Sequence, residues 1–331
     1  MPGRQLVLNC ETVRPSILSR SMRNFARPFN VLLLLASSAL AAIAGCGSDA
    51  IPAEPLRDSG TMPDAYTSEN DASVDAAVPD ALPDTPTSQG LKIHFDYRFD
   101  TKGFFSDAKR RAALEGAARI WRSRIKSTFP NVPSGTYVFI RNPEQPDLPS
   151  QGFNLDYEID DLVVFVGAAE LGGARAGRGG VSVGLSGVSD TQLRETLSAR
   201  YNLAPFRPWT GWISFDETMP WHFDATPDSS DVPPTDKTDF ISIALHELGH
   251  VLGFSGTPPF VALVSGDTFV GPKAVSVYGG PVPLASSASH FPDDIFGGTK
   301  RPVMSVSSLR GQRALPSPLD IAVFEDLGYT F

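Results

Sequence analysis

Cysteine and histidine are scarce in this chain, two and five among 331 residues. Both cysteines, Cys10 and Cys46, fall within the first 46 positions. The remainder can therefore form neither a disulfide framework nor a cysteine-based zinc site. Positive charge is also in deficit, with 28 Lys and Arg against 37 Asp and Glu. The net charge of −9 argues against a nucleic-acid partner, whose binder normally carries a basic face. Long apolar runs are missing apart from VLLLLASSALAAIA at 31–44. That run is short of the roughly 20 residues a membrane-spanning helix needs.

What is present is distributed unevenly. Residues 1–46 hold five Arg and one acid, whereas residues 47–90 hold nine acids and one Arg. The apolar run follows Arg23 and Arg27 and ends in small residues, the pattern of a signal peptide over 1–45. Its end, Ile43-Ala44-Gly45-Cys46, resembles a bacterial lipobox. That resemblance implies export, with acyl chains on Cys46 anchoring the mature chain to the membrane of the cell envelope. An ordinary signal peptide and a freely secreted protein is the alternative. Met22 opens a signal of more usual length, and if it is the true start, Cys10 is not part of the protein. Residues 46–90, rich in Asp, Ala and Pro, lack the apolar surface to offset ordering entropy and are expected to be a disordered acidic linker.

The folded domain is expected to span 91–331. LKIHFDYRF (91–99), TYVFIR (136–141), DLVVFVG (161–167) and GWISFDE (211–217) read as strands. A helix is expected from Ser106 to about Ser127, with Ala112, Ala113, Ala117, Ile120, Trp121 and Ile125 at helical spacing; Ile120 and Trp121 are expected in the core. A polar helix is expected near 189–201. A third, apolar helix, FISIALHELGHVLGF, follows Thr238 or Asp239. After a loop-rich stretch, Ser317 as N-cap and Pro318 at the first helical position open a last helix. The class is α+β.

His246-Glu247-Leu248-Gly249-His250 is an HExxH pattern on that apolar helix. Residues i and i+4 share a helix face, so both imidazoles can reach one ion, and Glu247 lies beside them as a candidate general base. With five His and eleven Glu in the chain, chance produces such a match roughly 0.003 times per sequence, which favours metal chemistry over two histidines packed in a core. A catalytic zinc takes three protein ligands. His94, His222 and His290 compete for the third place with Asp267, Asp293, Asp294 and Glu325.

HELGHVLGF carries Gly253 where metzincin metallopeptidases have the glycine that ends the helix, and in this the chain resembles that family. The position of the usual short-spaced third ligand is Gly256, so the common pattern fails here. Leishmanolysin-like members place a long insertion before the third histidine, and SASH at 287–290 is similar to that arrangement. Pro302-Val303-Met304-Ser305 resembles the Met-turn, SPLDIAVFEDLGY (317–329) the closing helix, and GWISFDETMPWHF (211–223) the edge strand and turn of matrixin-type members. The likeness covers 205–331 well and 91–204 in outline. It implies a metzincin-like zincin domain with a mixed twisted sheet, two long helices and a C-terminal helix. It further implies His246, His250 and His290 as ligands of one catalytic Zn2+, Glu247 as general base, and Met304 as a structural floor. The activity it implies is zinc endopeptidase action on protein or peptide substrates. A carboxylate third ligand remains an alternative. So do a non-catalytic surface adhesion module on the same scaffold and amidase chemistry at the same centre.

The Gly-rich LGGARAGRGGVSVGLSG (171–187) matches neither a P-loop nor GxGxxG and is expected to be a surface loop near the cleft. GWISFDE is a candidate edge for an extended peptide to pair with. Asp224, Asp228, Asp231, Asp236 and Asp239 could bind Ca2+, although a solvated loop is the expectation. Tyr278, Tyr329 and His222 are candidates for stabilising an oxyanion.

Overall fold

Strands with apolar side chains on both faces must be covered from both sides, and that requirement organises the fold. The computed structural model describes residues 90–331 except 174, 225–231 and 286–287. The signal peptide, Met22, Cys46, nearly all of the linker, Asp228 and Asp231 lie outside the described residues. In chain order the elements are β1 (Ile93–Asp96), α1 (Ala108–Arg122), β2 (Tyr137–Ile140), β3 (Gln151–Asn154), β4 (Leu162–Ala169), β5 (Gly177–Val181), α2 (Thr191–Asn202), β6 (Thr210–Asp216), β7 (Trp221–His222) and β8 (Thr238–Asp239). There follow α3 (Phe240–Val251), α4 (Pro258–Val261), β9 (Val264–Ser265), β10 (Thr268–Phe269), α5 (Pro272–Tyr278), β11 (Val282–Pro283) and α6 (Pro318–Asp326). The class is mixed α+β.

The main sheet runs β1-β4-β6-β5, with β1, β4 and β6 parallel and β5 antiparallel at one edge. Alternation along β4 sends Leu162, Val164, Val166 and Ala168 into the larger core and Val163 and Phe165 into a smaller one. The larger core lies under α1 and α3. The smaller is closed by Val138 and Ile140 of the β2–β3 hairpin, with Trp209 and Trp212. Helix α1 starts at Asp107, whose carboxylate accepts from Lys109 N at 2.7 Å, one residue later than the expected Ser106. As expected, Ile120 and Trp121 are buried. The indole of Trp121 packs on Phe324 of α6 and donates to Leu245 O of α3 at 3.1 Å, tying three helices together.

All of α3 is buried, which explains a helix apolar on every side. Covering each of Ile241, Ile243, Leu245 and Leu248 contributes about 1.5–3 kcal/mol. The stretch expected to be loop-rich instead holds α4, α5 and a small β11-β10-β9 sheet. These pieces run two to seven residues, too short for periodicity to reveal. Among the described residues no helix is long and apolar enough to cross a membrane.

Candidate metal centre

The centre is built on α3. Asp239 caps the helix, accepting from Ser242 N at 3.1 Å, and the regular turns that follow bring His246 and His250 onto one face. The helix stops at Gly253, whose φ of +106° is left-handed. A Cβ there would also meet the Phe206 ring at 2.6 Å, so conformation and space both demand glycine. The reversal at Gly253 carries the carbonyl of Phe254 back to His250 Nδ1, 2.9 Å away.

His290 joins from the chain after β11. Its neighbour Phe291 forms a parallel bridge with Ser305: Phe291 N donates to Met304 O at 2.9 Å and Val306 N to Phe291 O at 3.0 Å. The three Nε2 atoms form a near-equilateral triangle, with His246–His250, His246–His290 and His250–His290 separations of 3.1, 3.1 and 3.2 Å. All three rings are buried.

The outer nitrogens decide what this triangle is for. His246 Nδ1 lies 2.8 Å from Val303 O, and His250 Nδ1 faces Phe254 O. A carbonyl oxygen only accepts, so each Nδ1 carries the ring proton and each Nε2 presents a lone pair. Two buried lone pairs 3.1 Å apart repel unless a cation lies between them. Burial lowers the pKa of His246 to about 4 and of His250 to about 3, and pushes His290 well below its ordinary value, so the rings are neutral donors. Three nitrogens about 2.0–2.1 Å from a tetrahedral zinc stand ~3.3 Å apart, close to what is observed. The donor set fits a metal ion. The chain matches no protein family and no curated protein. These three residues form the one group of potential ligands found among the described residues. His94, His222, Asp267, Asp293, Asp294 and Glu325 are not part of it.

Met304 lies beneath the helix, where a methyl group on Gly249 would run into its sulfur. The turn bearing Met304 is held by Asp320 of α6, whose carboxylate accepts from Val303 N at 3.0 Å and Met304 N at 3.1 Å. No sequence signal pointed to this hold on the turn; as third residue after the Ser317 cap, Asp320 also completes a capping box.

Glu247 is buried, and its Oε2 has no hydrogen-bond partner among the described residues. Burial raises its pKa to about 8, with the charge of Arg178 pulling the other way. What covers it corrects two expectations. The Gly-rich stretch is not simply a loop: Gly177–Val181 is β5, pressed against α3. A Cβ on Gly177 would meet Glu247 Oε1 at 2.7 Å, and one on Gly179 would meet the same side chain at 3.1 Å, so the glycines are there to let the helix approach. GWISFDE is not an edge. As β6 it lies between β4 and β5 with every residue buried, and β5 is the edge strand.

A cavity of about 260 Å³ opens beside His246, between Ser242 and Ile243 of α3 and the chain from Lys300 to Leu315. Arg313 ties this wall to the helix start. Its Nε and terminal nitrogen reach Asp239 at 3.0 and 2.8 Å, and its other nitrogen reaches Asp224 at 2.9 Å. Asp224 and Asp239 are thus buried ion-pair partners rather than part of a solvated loop, while Asp236 is exposed. No sequence signal pointed to Arg313. A larger, open depression of about 420 Å³, lined by Lys102, Glu144, Asp147, Glu170 and Glu217, contains none of the histidines. Of the oxyanion candidates, Tyr329 donates its hydroxyl to Leu252 O at 2.9 Å in the core. His222 sits in β7 against Asp239, and Tyr278 ends α5 partly exposed.

Proposed function

We propose that this chain is a zinc-dependent endopeptidase of the metzincin type, with His246, His250 and His290 as ligands and Glu247 as general base. The observation that carries the reading is the convergence of three buried Nε2 atoms, two of them fixed as lone-pair donors, with Glu247, the residue after His246, keeping a buried carboxylate oxygen unpartnered among the described residues. Zinc held there supplies Lewis acidity toward a peptide carbonyl and toward water. Glu247 accepts a proton from the attacking water. The water oxygen bonds to the carbonyl carbon, the C–N bond breaks, and Glu247 returns the proton to the leaving amine. Burial makes the Glu247 carboxylate a stronger base than an exposed glutamate, the direction required of a group that must take a proton from water. The outer edge of β5 offers backbone groups with which an extended substrate can pair. The cavity beside His246 offers room for a substrate side chain. The same reading includes the lipobox-like segment: export, with attachment to the bacterial envelope through Cys46.

The test is hydrolysis of an unfolded-protein and peptide panel by the full chain, with zinc and with a chelator. Hydrolysis is expected with zinc only. Glu247→Gln should abolish it while zinc stays bound, and His290→Ala should lose the zinc itself. Bound zinc with no hydrolysis of any peptide or cell-wall substrate by the wild type would replace this reading with a binding module. Full zinc occupancy in the His290 variant would remove His290 from the ligand set.

A further inference from the structure

We propose that Asp320 is a positioning residue for the metal centre, acting on His246 through the peptide group that joins Val303 to Met304. The inference rests on reading the three histidines as metal ligands.

The geometry is a relay across one rigid plane. The peptide unit between Val303 and Met304 contains the Val303 carbonyl and the Met304 N–H. In a trans peptide these point in opposite directions, and among the described residues the only cis bond is Ala204-Pro205. On one side Met304 N donates to Asp320 Oδ1 at 3.1 Å; on the other, Val303 O accepts from His246 Nδ1 at 2.8 Å. A second bond, Val303 N to Asp320 Oδ2 at 3.0 Å, ties the preceding peptide unit to the same carboxylate, so the chain is held on both sides of the Val303 α-carbon. The carboxylate is therefore linked to the imidazole through one polarised amide. The usual arrangement, in which a carboxylate or carbonyl directly orients a ligating histidine, here has the two in series. Electron density drawn toward the Val303 oxygen strengthens the bond to His246 and makes its Nε2 a better donor.

Helix capping alone does not account for this carboxylate. Capping uses Ser317 N to Oδ2 at 2.7 Å and Asp320 N to Ser317 Oγ at 3.2 Å. The two further bonds leave the helix and go to the turn. Asp320 is fully buried, and no salt bridge to it is found among the described residues. Its negative charge is met instead by backbone N–H groups, which require acceptors on both oxygens. Asparagine has the same shape but a single acceptor oxygen, so it can serve the cap or the turn but not both fully.

The experiment compares zinc affinity of the full chain, by competition with a chromophoric chelator, for wild type, Asp320→Asn and Ser317→Ala. The serine variant weakens the same helix cap and leaves the turn alone. Asp320→Asn is expected to weaken zinc binding about tenfold, within the ~10–100-fold usual for outer partners of metal ligands, and Ser317→Ala to leave it unchanged. Equal affinity for wild type and Asp320→Asn, or an equal loss in both variants, overturns the proposal. A second measurement needs no variant: amide exchange at Val303 and Met304 in the wild type should slow when zinc is added, because the link is reciprocal. Unchanged exchange there also overturns it. A wild type that binds no zinc fails one step earlier, overturning the metal reading and this proposal with it.

Discussion

Gly249 and Met304 face each other without room for one more carbon: a methyl group on the glycine would collide with the methionine sulfur. Gly249→Ala should therefore either push Met304 away from α3 or bend the helix. Overpacking of this kind costs about 1–3 kcal/mol. The expected outcome is a lower melting temperature and weaker zinc retention, both relieved in part by adding Met304→Ala. An unchanged melting temperature would show that the turn yields freely.

If Glu247 acts as proposed, substitutions at the glycines of β5 should separate hydrolysis from metal binding. Gly177→Ala places a carbon 2.7 Å from Glu247 Oε1 and should displace the carboxylate while leaving the three histidines alone. Hydrolysis should fall by about two orders of magnitude, the lower end of the contribution of a well-placed general base, with zinc still bound. Gly180→Ala is the control, since its nearest neighbour is Trp212 Nε1 at 3.8 Å. Loss of zinc in the Gly177 variant would contradict this division.

Arg313 is the counter-charge that lets Asp239 cap α3 from inside the protein. The two side chains are 9% and 1% exposed. Arg313→Ala removes the cation shared by two buried carboxylates, Asp239 and Asp224, and breaking one such buried pair costs about 3–5 kcal/mol. Asp239 keeps its bonds from Ser242 N and Oγ, so Asp239→Asn added to the Arg313 variant should recover part of that loss. Denaturant unfolding of the single and double variants measures both values. Additive losses would show that the pair is not coupled.

The metal-free chain should be most stable close to neutrality. Its buried histidines stay unprotonated down to about pH 4 or below, while in the unfolded chain they protonate near 6.5. Their contribution is therefore complete above 6.5 and is lost as pH falls. Glu247 has the opposite sign. Its folded pKa of about 8 exceeds the unfolded 4.5, so its contribution is complete at low pH and is lost as pH rises to 8. Chelator-treated protein melted across pH 5–9 should show both limbs, and Glu247→Gln should remove the alkaline one. A flat profile would contradict neutral burial of either group.

The legible parts of this protein were those whose spacing is local. HExxH needs only one helix, and its two histidines and glutamate are where the helical repeat puts them. DLVVFVG (161–167), apolar from its second residue on, announced a central strand, and β4 (Leu162–Ala169) lies between β1 and β6. His290 lies forty residues past His250, and only the shortage of histidine and the resemblance to a family singled it out. β5 was hidden for a physical reason. The close approach of α3 replaced its side chains with glycine, erasing the β-branched signal by which strands are read. Arg313 and Asp320 act through contacts between segments 16 to 89 positions apart, which no single-sequence pattern encodes.

The backbone bridge between Phe291 and Ser305 fixes the far end of the excursion that begins at Gly253, so residues 254–289 start and finish at points already anchored. Doubling the length of such an excursion costs only about 0.6 kcal/mol in closure entropy. The exposed tip at Gly266, between β9 and β10, is therefore a place where the chain can be lengthened, labelled or fused to another domain without disturbing the three imidazoles.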